Sequence, residues 1–488
     1  MSAAPGTASL PATATATTGT GPEPVPRELI AATLDALRRG GAEYGDVYVE
    51  ARSNRSLVSG DDSAPEASRG RQLGMGIRAL RGDVSAFCCT ENLDADHLLR
   101  TAAELTAGLG RAPAGHHTPL PLTARPSVQR SPVLVPGDTV PWSERTGLLE
   151  RAQRAGRAAD PRIIRATARL FESAHRIQVG TTAGDYRHET RSRVRLRVQV
   201  VARDRQGRTG YGSWAPGGTG GFEITGTLDP EAVAAEACRQ ALALLDAREA
   251  PAGDFPLVVH NGVGGVLFHE ACGHPLEGDG LSRPGSPAAV PYGTRVASEL
   301  ITAVDDQTVP GAWGTAGFDD EGVPAQCTTL IENGRLVSHL FDRATAGAHG
   351  RTSTGNGRRA SFRHLPVPRM TNTFLRPGED DPEQIVRDTA DGIYARSFSG
   401  GVVDTTTGSF TFTVREGYRI RGGRLAEPLS MIPVVGTGWE VLSRIDRVGH
   451  DLRLAPVICG KEGQKSMVGV GQPTVRISSV TVGGNHHG

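Results

Sequence analysis

Residues Asn261–Asp279 read NGVGGVLFHEACGHPLEGD, and His269-Glu270-Ala271-Cys272-Gly273-His274 in their middle pose the first question. In the metal-hydrolase pattern H-E-x-x-H, histidines four residues apart lie roughly 40° apart around a helix and share one ion. Here the spacing is five, which on a regular α-helix separates the rings by roughly 140°. A regular helix therefore cannot offer both rings to one metal. The flanking residues supply ways to bend it. Gly273 permits backbone angles closed to other residues, and Pro275 disfavours the helical region for His274. A wide last turn with i→i+5 bonding would also bring the rings to one side.

Glu270 stands beside the first histidine, where a carboxylate can take a proton from an attacking water and pass it to a leaving amine. Two histidines are one ligand short of a catalytic zinc site. Cys272 is the nearest thiol but lies between them. Glu277 and Asp279 are candidate ligands or partners that orient one. Cys327, His364 and Cys459 are distant candidates, and Cys459 closes an apolar strand in LAPVICGKEGQ. A histidine pair beside an acid is more often a set of satisfied polar groups at a helix end. The Gly-Pro flank and the acidic tail bring the two readings into balance.

Outward from the motif, residues 251–488 read as strands punctuated by glycine, with hairpin signals at Asn333-Gly334 and Gly422-Gly423 and one further helix near Pro382 to Ile393. Residues 27–110 and 138–250 mix helices with alternating strands. The helices are expected from Arg27, near Ala95 to Leu109, over Ser143 to Ala158 and over Asp229 to Ala247. GDVYVEAR, QLGMGIRALRGDVSAF, IIRATARLFESAHRIQVGTT and TRSRVRLRVQVVARD read as strands, with Gln206-Gly207 turning the last one back. Asp61 to Arg69 reads as a polar loop, residues 111–137 as a linker and residues 1–26 as a disordered tail. The fold class is α+β, with N-terminal units carrying antiparallel strands and a mostly antiparallel C-terminal domain holding one metal-binding helix. A chain of 488 residues accommodates these two or three domains.

Net charge is zero, which gives no electrostatic footprint for nucleic acid or an anionic membrane. Six scattered cysteines suit a reducing compartment, and the tail lacks a basic start and an apolar core, so a cytoplasmic location is expected. Arg358, Arg359, Arg363 and Arg369 crowd one segment; a clamp for a substrate carboxylate is one reading, and structural bonding is preferred. Asp319, Asp320 and Glu321 read as an exposed acidic turn. Ser409 to Val414 reads as an internal strand, in preference to an open edge for a substrate.

VLFHEACGHPLEGD resembles the H-E-x-x-x-H segment of the TldD/PmbA family, on the TldD side. VPGAWGTAGFDDEGVPAQCTTLIENGRL, GNGRRASFRHLPVPRMTNTFLRPGE, SGGVVDTTTGSFTFTVREGYRI, PVICGKEGQ and VGVGQPTVRISSVTVGG resemble successive blocks of the same family, in order. The resemblance spans residues 27–484. It implies a zinc metallohydrolase whose ion is held by His269, His274 and Cys459, with Glu270 as catalytic carboxylate, paired with a TldE/PmbA-like subunit. The extra residue between the histidines then belongs to the family's own motif. The implied reaction is peptide hydrolysis. N-deacetylation of a small metabolite is the alternative, because arginine-rich, lysine-poor usage resembles actinobacterial proteins, where such copies serve natural-product biosynthesis. A non-catalytic partner subunit is the third reading, and the intact four residues argue against it.

Overall fold

The computed structural model describes residues 23–60, 63–82, 84–109, 121–404, 407–483. Most of the expected tail, residues 1–22, and part of the expected linker, residues 111–120, lie outside them. The end of the tail is docked: Val25 is buried, and its N–H donates to Gln178 Oε1 at 3.0 Å. The fold is α+β.

One eight-stranded sheet takes strands from both N-terminal stretches. Its path runs Val84–Thr90, Ser63–Arg81, Tyr44–Gly60, Ile163–Thr181, Asp185–Arg203, Thr123–Ala124, and Thr209–Trp214 and Gly217–Thr219 also pair with Asp185–Arg203. Tyr44–Gly60 and Ile163–Thr181 join the two stretches in antiparallel register, Val47 opposite Gly180 and Leu57 opposite Leu170. Alternation along these strands sends one row of apolar residues under each helix pair. Arg27–Arg39 and Ala95–Ala107 cover Val47, Val49, Met75 and Ile77, and Trp142–Ala158 and Pro230–Leu245 cover Leu170, Leu196, Val198 and Val200. The polar loop expected at Asp61 to Arg69 is instead largely strand. Ser63–Arg81 pairs along the whole of Tyr44–Gly60, so ladder bonds to a partner of matching length outweigh its polar composition.

The C-terminal half holds two large sheets and a two-stranded one, Gly357–Arg358 with Val367–Pro368. The first orders Ile445–Val448, Val475–Val482, Gly253–Val259, Asp391–Val403, Ser409–Arg421, Arg424–Thr437 and Arg248–Glu249; the second orders Arg335–Leu336, Cys327–Glu332, Ala303–Asp306, Asn372–Leu375, Gln464–Gln472 and Arg453–Lys461. Most pairings are antiparallel. Asn333 and Gly334 take φ of +47° and +77° between Cys327–Glu332 and Arg335–Leu336, the backbone a two-residue hairpin needs. Ser409–Arg421 is internal, paired on both sides. The helix expected over Pro382 to Ile393 stops at Arg387. Ile393 lies in a strand parallel to Leu257, because a buried slot in the sheet claims it.

A single core lies between these sheets. It includes Leu257, Ile393, Phe412 and Val434 from the first, Ala303, Leu330, Ile331 and Leu375 from the second, and Leu267, Phe268, Ala271, Cys272 and Leu276 from the motif segment. The motif is thus anchored by its apolar side. The eight-stranded sheet meets the C-terminal half through Tyr48, Ile177, Val179, Phe318 and Phe362. Around that cluster Arg78 joins Asp46 to Glu321, Arg359 joins Asp46, and Arg191 joins Glu189 and Asp320. Asp319, Asp320 and Glu321 are therefore buried, not an exposed turn. Against burial, Arg191 and the Arg359 N–H hold Asp320 below the ordinary carboxylate range, whereas burial raises Asp319, to about 8, and Glu321 despite their own donors.

Candidate metal centre

The strand Gly253–Val259 delivers the chain into a short α-turn, Val266–Phe268, followed by a π-helical turn over His269–Gly273. The His274 N–H donates to the His269 carbonyl at 3.1 Å, an i→i+5 bond. This wide turn takes up the fifth residue, and the ring centroids of His269 and His274 lie 5.1 Å apart at 76°. The other expected device is not used. His274 keeps helical angles, φ −61° and ψ −42°, before Pro275, because contacts of its ring outweigh the local preference. Gly273 takes no positive φ. It serves close approach instead: a Cβ there would stand 2.3 Å from Met370 Sδ.

Cys459 arrives from the far end of the chain on the strand Arg453–Lys461, opposite Ser466. Its Sγ lies 3.1 Å from His274 Nε2. One ligand atom each from His269, His274 and Cys459 gathers within 4.8 Å, the one such group of His, Cys, Asp or Glu among the described residues that could hold an ion. Tetrahedral zinc sets ligand atoms roughly 3.3–3.6 Å apart, given bonds of about 2.0–2.3 Å. Both ring nitrogens of His269 are buried without a hydrogen-bond partner. Buried polar atoms are rarely left so, and a cation resolves one of them. The N, N, S donor set and the orphaned ring fit zinc.

Charge around the site is arranged unevenly. Burial, with His274 beside it, pushes His269 well below the ordinary histidine range. Burial works the same way on His274, but Glu277 and Cys459 hold it up, to about 10. Glu277 is fully buried, yet His274 and Lys461 keep it ionised well below the carboxylate range. Burial raises Glu270, whose side chain remains 36% exposed, 3.7 Å from His274 Nε2. A corner that holds a proton on His274 this firmly also attracts a metal cation.

Of the remaining candidates, Cys272 packs in the core, where burial raises its thiol far above the usual range. Cys327 is exposed, and His364 bonds Ser361. Glu277 bonds His274 Nδ1 at 2.8 Å, and Asp279 bonds Lys461 Nζ at 2.6 Å. The four arginines are structural. Arg358 donates to the Met370 and Met467 carbonyls, Arg359 to Asp46, Arg363 to Glu91, and Arg369 to the Cys459 and Gln464 carbonyls. Lys461 was missed by sequence reasoning. Its signal was present: it stands two residues after Cys459 on a strand, hence on the same face.

Residues 252–484 match the PmbA/TldA metallopeptidase C-terminal domain and residues 136–245 the central domain of the same group. Over 93% of this chain and 95% of the relative, identity to a Metalloprotease TldD homolog of Haemophilus influenzae is 35%. The chain belongs to the TldD/PmbA family. A Zinc metalloprotease TldD homolog of Saccharolobus solfataricus is 31% identical over 48% of this chain and 52% of its own length. TldE from Thermococcus kodakarensis superposes with a TM-score of 0.74 over 93% of this chain and 100% of that one, at 18% identity, a likeness of fold alone. Among the described residues no helix is long and apolar enough to cross a membrane.

Proposed function

We propose that this TldD-family chain is a zinc metallopeptidase acting on small or unfolded peptides, with His269, His274 and Cys459 as zinc ligands and Glu270 as general base and then general acid. One observation carries the reading: three ligand atoms from residues up to 190 positions apart converge within 4.8 Å around a histidine with no other partner. When bound, the ion supplies a Lewis acid that brings the pKa of a water towards neutrality and polarises the scissile carbonyl. Glu270 takes the proton that the water gives up on attack. It then delivers that proton to the amine nitrogen as the C–N bond breaks. Its raised affinity for a proton, caused by burial, matches that double duty. The exposed side of Glu270 leaves room for substrate, and a TldE/PmbA-like subunit is the partner proposed to cover that face.

An N-deacetylase would use the same four groups, since it also cleaves an amide, so the test must vary the substrate. The chain is co-expressed with its TldE-like neighbour, zinc per pair is measured, and the pair is given a generic peptide and a panel of N-acetylated amino acids. The expected outcome is one zinc and peptide cleavage; deacetylation alone would replace the peptidase reading, and absence of zinc would leave the chain a non-catalytic subunit. Glu270→Gln should retain zinc and lose activity by on the order of 10²-fold or more.

A further inference from the structure

Glu277 lies where it can orient a metal ligand without touching the metal. Its side chain is fully buried, and a carboxylate is taken this far from water only where it is held. Oε2 accepts from His274 Nδ1 and from Lys461 Nζ, each at 2.8 Å. Oε1 accepts from the Met370 N–H at 3.1 Å, and Arg369 Nε stands 3.7 Å away. Three separate chain segments thus meet on one carboxylate.

Two consequences follow from the geometry. First, a bond from His274 Nδ1–H to Glu277 commits Nδ1, so that Nε2, the atom 3.1 Å from Cys459 Sγ, is the nitrogen left to meet an ion in place of its own proton. His269 has no such partner on either nitrogen. Second, Lys461 shares a strand face with Cys459, and its ammonium bonds Glu277, Asp279 at 2.6 Å and the Pro368 carbonyl at 3.2 Å. The Glu277–Lys461 pair therefore ties together the same two segments that an ion would tie through His274 and Cys459. Arg369 adds a bond to the Cys459 carbonyl at 3.0 Å, holding the backbone of the cysteine itself.

We propose that Glu277 and Lys461 are positioning residues for the metal centre: Glu277 fixes His274 with Nε2 turned to the ion, and Lys461 holds the Cys459 strand against the motif turn, so that the ligands are assembled before metal arrives. This rests on the metal reading above. An ion pair that merely stabilised the fold would leave metal affinity and ligand geometry unchanged in folded variants.

The test uses the full chain co-purified with its partner, stripped by a chelator and confirmed folded by near-UV circular dichroism. Zinc affinity is measured by competition with a chelator of known affinity, and the site is separately loaded with Co(II) for its thiolate charge-transfer and d–d absorption. Glu277→Gln should weaken zinc roughly 10- to 100-fold and shift the d–d bands. Lys461→Met should weaken it less, and Lys461→Arg should recover most of the loss. Zinc affinity within twofold of the parent and an unaltered Co(II) spectrum in folded Glu277→Gln and Lys461→Met would overturn the proposal. Should Glu277→Gln fail to fold, the two Lys461 variants decide by the same criteria. A parent complex that takes up no zinc removes the metal reading and this inference together; a parent that takes it up, beside indifferent variants, removes this inference alone.

Discussion

The seam between the eight-stranded sheet and the C-terminal half, and the corner around His274, are both built from charges taken out of water. At the seam, Asp46 is bound by Arg78 and Arg359, Asp320 by Arg191, Glu321 by Arg78 and the Arg343 N–H, and Asp319 by three backbone N–H groups. Arg359 also lies over the Tyr48 ring, 4.6 Å from its centroid. Every carboxylate there meets donors from its own surroundings; Arg359 Nε and Nη1 stay buried without a hydrogen-bond partner, but a guanidinium cannot hold a cation. Around His274 the outer layer is held by the Glu277–Lys461 pair, with Arg369 Nε left without a hydrogen bond, and the inner layer is open: His269 has two buried nitrogens and no partner. Donors matched to carboxylates hold two parts of a fold together, while a buried imidazole with an unused lone pair has a place for a metal. Perturbing the two should therefore produce different losses.

The largest effect belongs to the seam. Arg78→Met takes the shared cation from Asp46 and Glu321, leaving them Arg359 and the Arg343 N–H, and should cost about 3–5 kcal/mol, read from the denaturant unfolding midpoint, with zinc uptake by the folded protein unchanged. Loss of zinc without loss of stability would erase the distinction between the clusters. Cys459→Ala should do the reverse. Zinc binding should weaken by more than about 10²-fold, beyond the effect of outer partners, while near-UV circular dichroism keeps the parent signature. Zinc content equal to the parent's would hand the third position to another residue. Gly273→Ala lies between the two kinds of perturbation. Its Cβ meets Met370, whose side chain is buried and whose N–H bonds Glu277. Overpacking of about 1–3 kcal/mol is expected, and Met370→Ala in the same chain should relieve part of it; a neutral Gly273→Ala would show that the π-turn is not tightly packed.

How far such features could be read beforehand depended on their range along the chain. The hairpin at Asn333-Gly334 and the α+β class are local, written in residue types that a turn or an alternating strand demands. The wide turn at the motif was legible as a need, because five-residue spacing defeats a regular helix, but the role of Gly273 was not. Its cause is Met370, almost a hundred residues away, and closeness of that kind leaves no periodic trace. Asp319, Asp320 and Glu321 looked like solvated charge for the same reason: their partners Arg78 and Arg191 come from the other sheet. Cys459 became a ligand candidate through the end of an apolar strand and through resemblance. Lys461 could have been found from the two-residue period, whereas the carboxylate that receives it could not, since nothing in a sequence reports which buried acid faces which strand.

The smallest expected effect tests whether the seam's closure depends on pH. His175 is buried in the strand Ile163–Thr181, with Nδ1 3.7 Å from Glu50 Oε1. Burial, and then Arg52, Arg193 and Arg191, push its pKa well below the ordinary 6.5. Above pH 6.5 the ring is neutral whether the chain is folded or not, and stability does not depend on it. As pH falls through 6.5, the unfolded chain accepts a proton that the folded seam refuses. Folding then loses stability, at up to about 1.4 kcal/mol per pH unit. Glu50 opposes this at lower pH, because burial raises its carboxyl above 4.5 and the folded state takes that proton first. The His175 contribution is therefore best resolved between pH 5 and pH 6.5, as roughly 1–2 kcal/mol over that range. Burial also raises Asp319, to about 8, which opposes the loss in the same window, so the expected result is a difference in unfolding midpoints: as pH falls the parent chain should lose stability relative to His175→Gln, which leaves Glu50 and Asp319 in place. Equal slopes in the two proteins would mean that acid enters the seam by another group, and that its closure does not rest on keeping this ring uncharged.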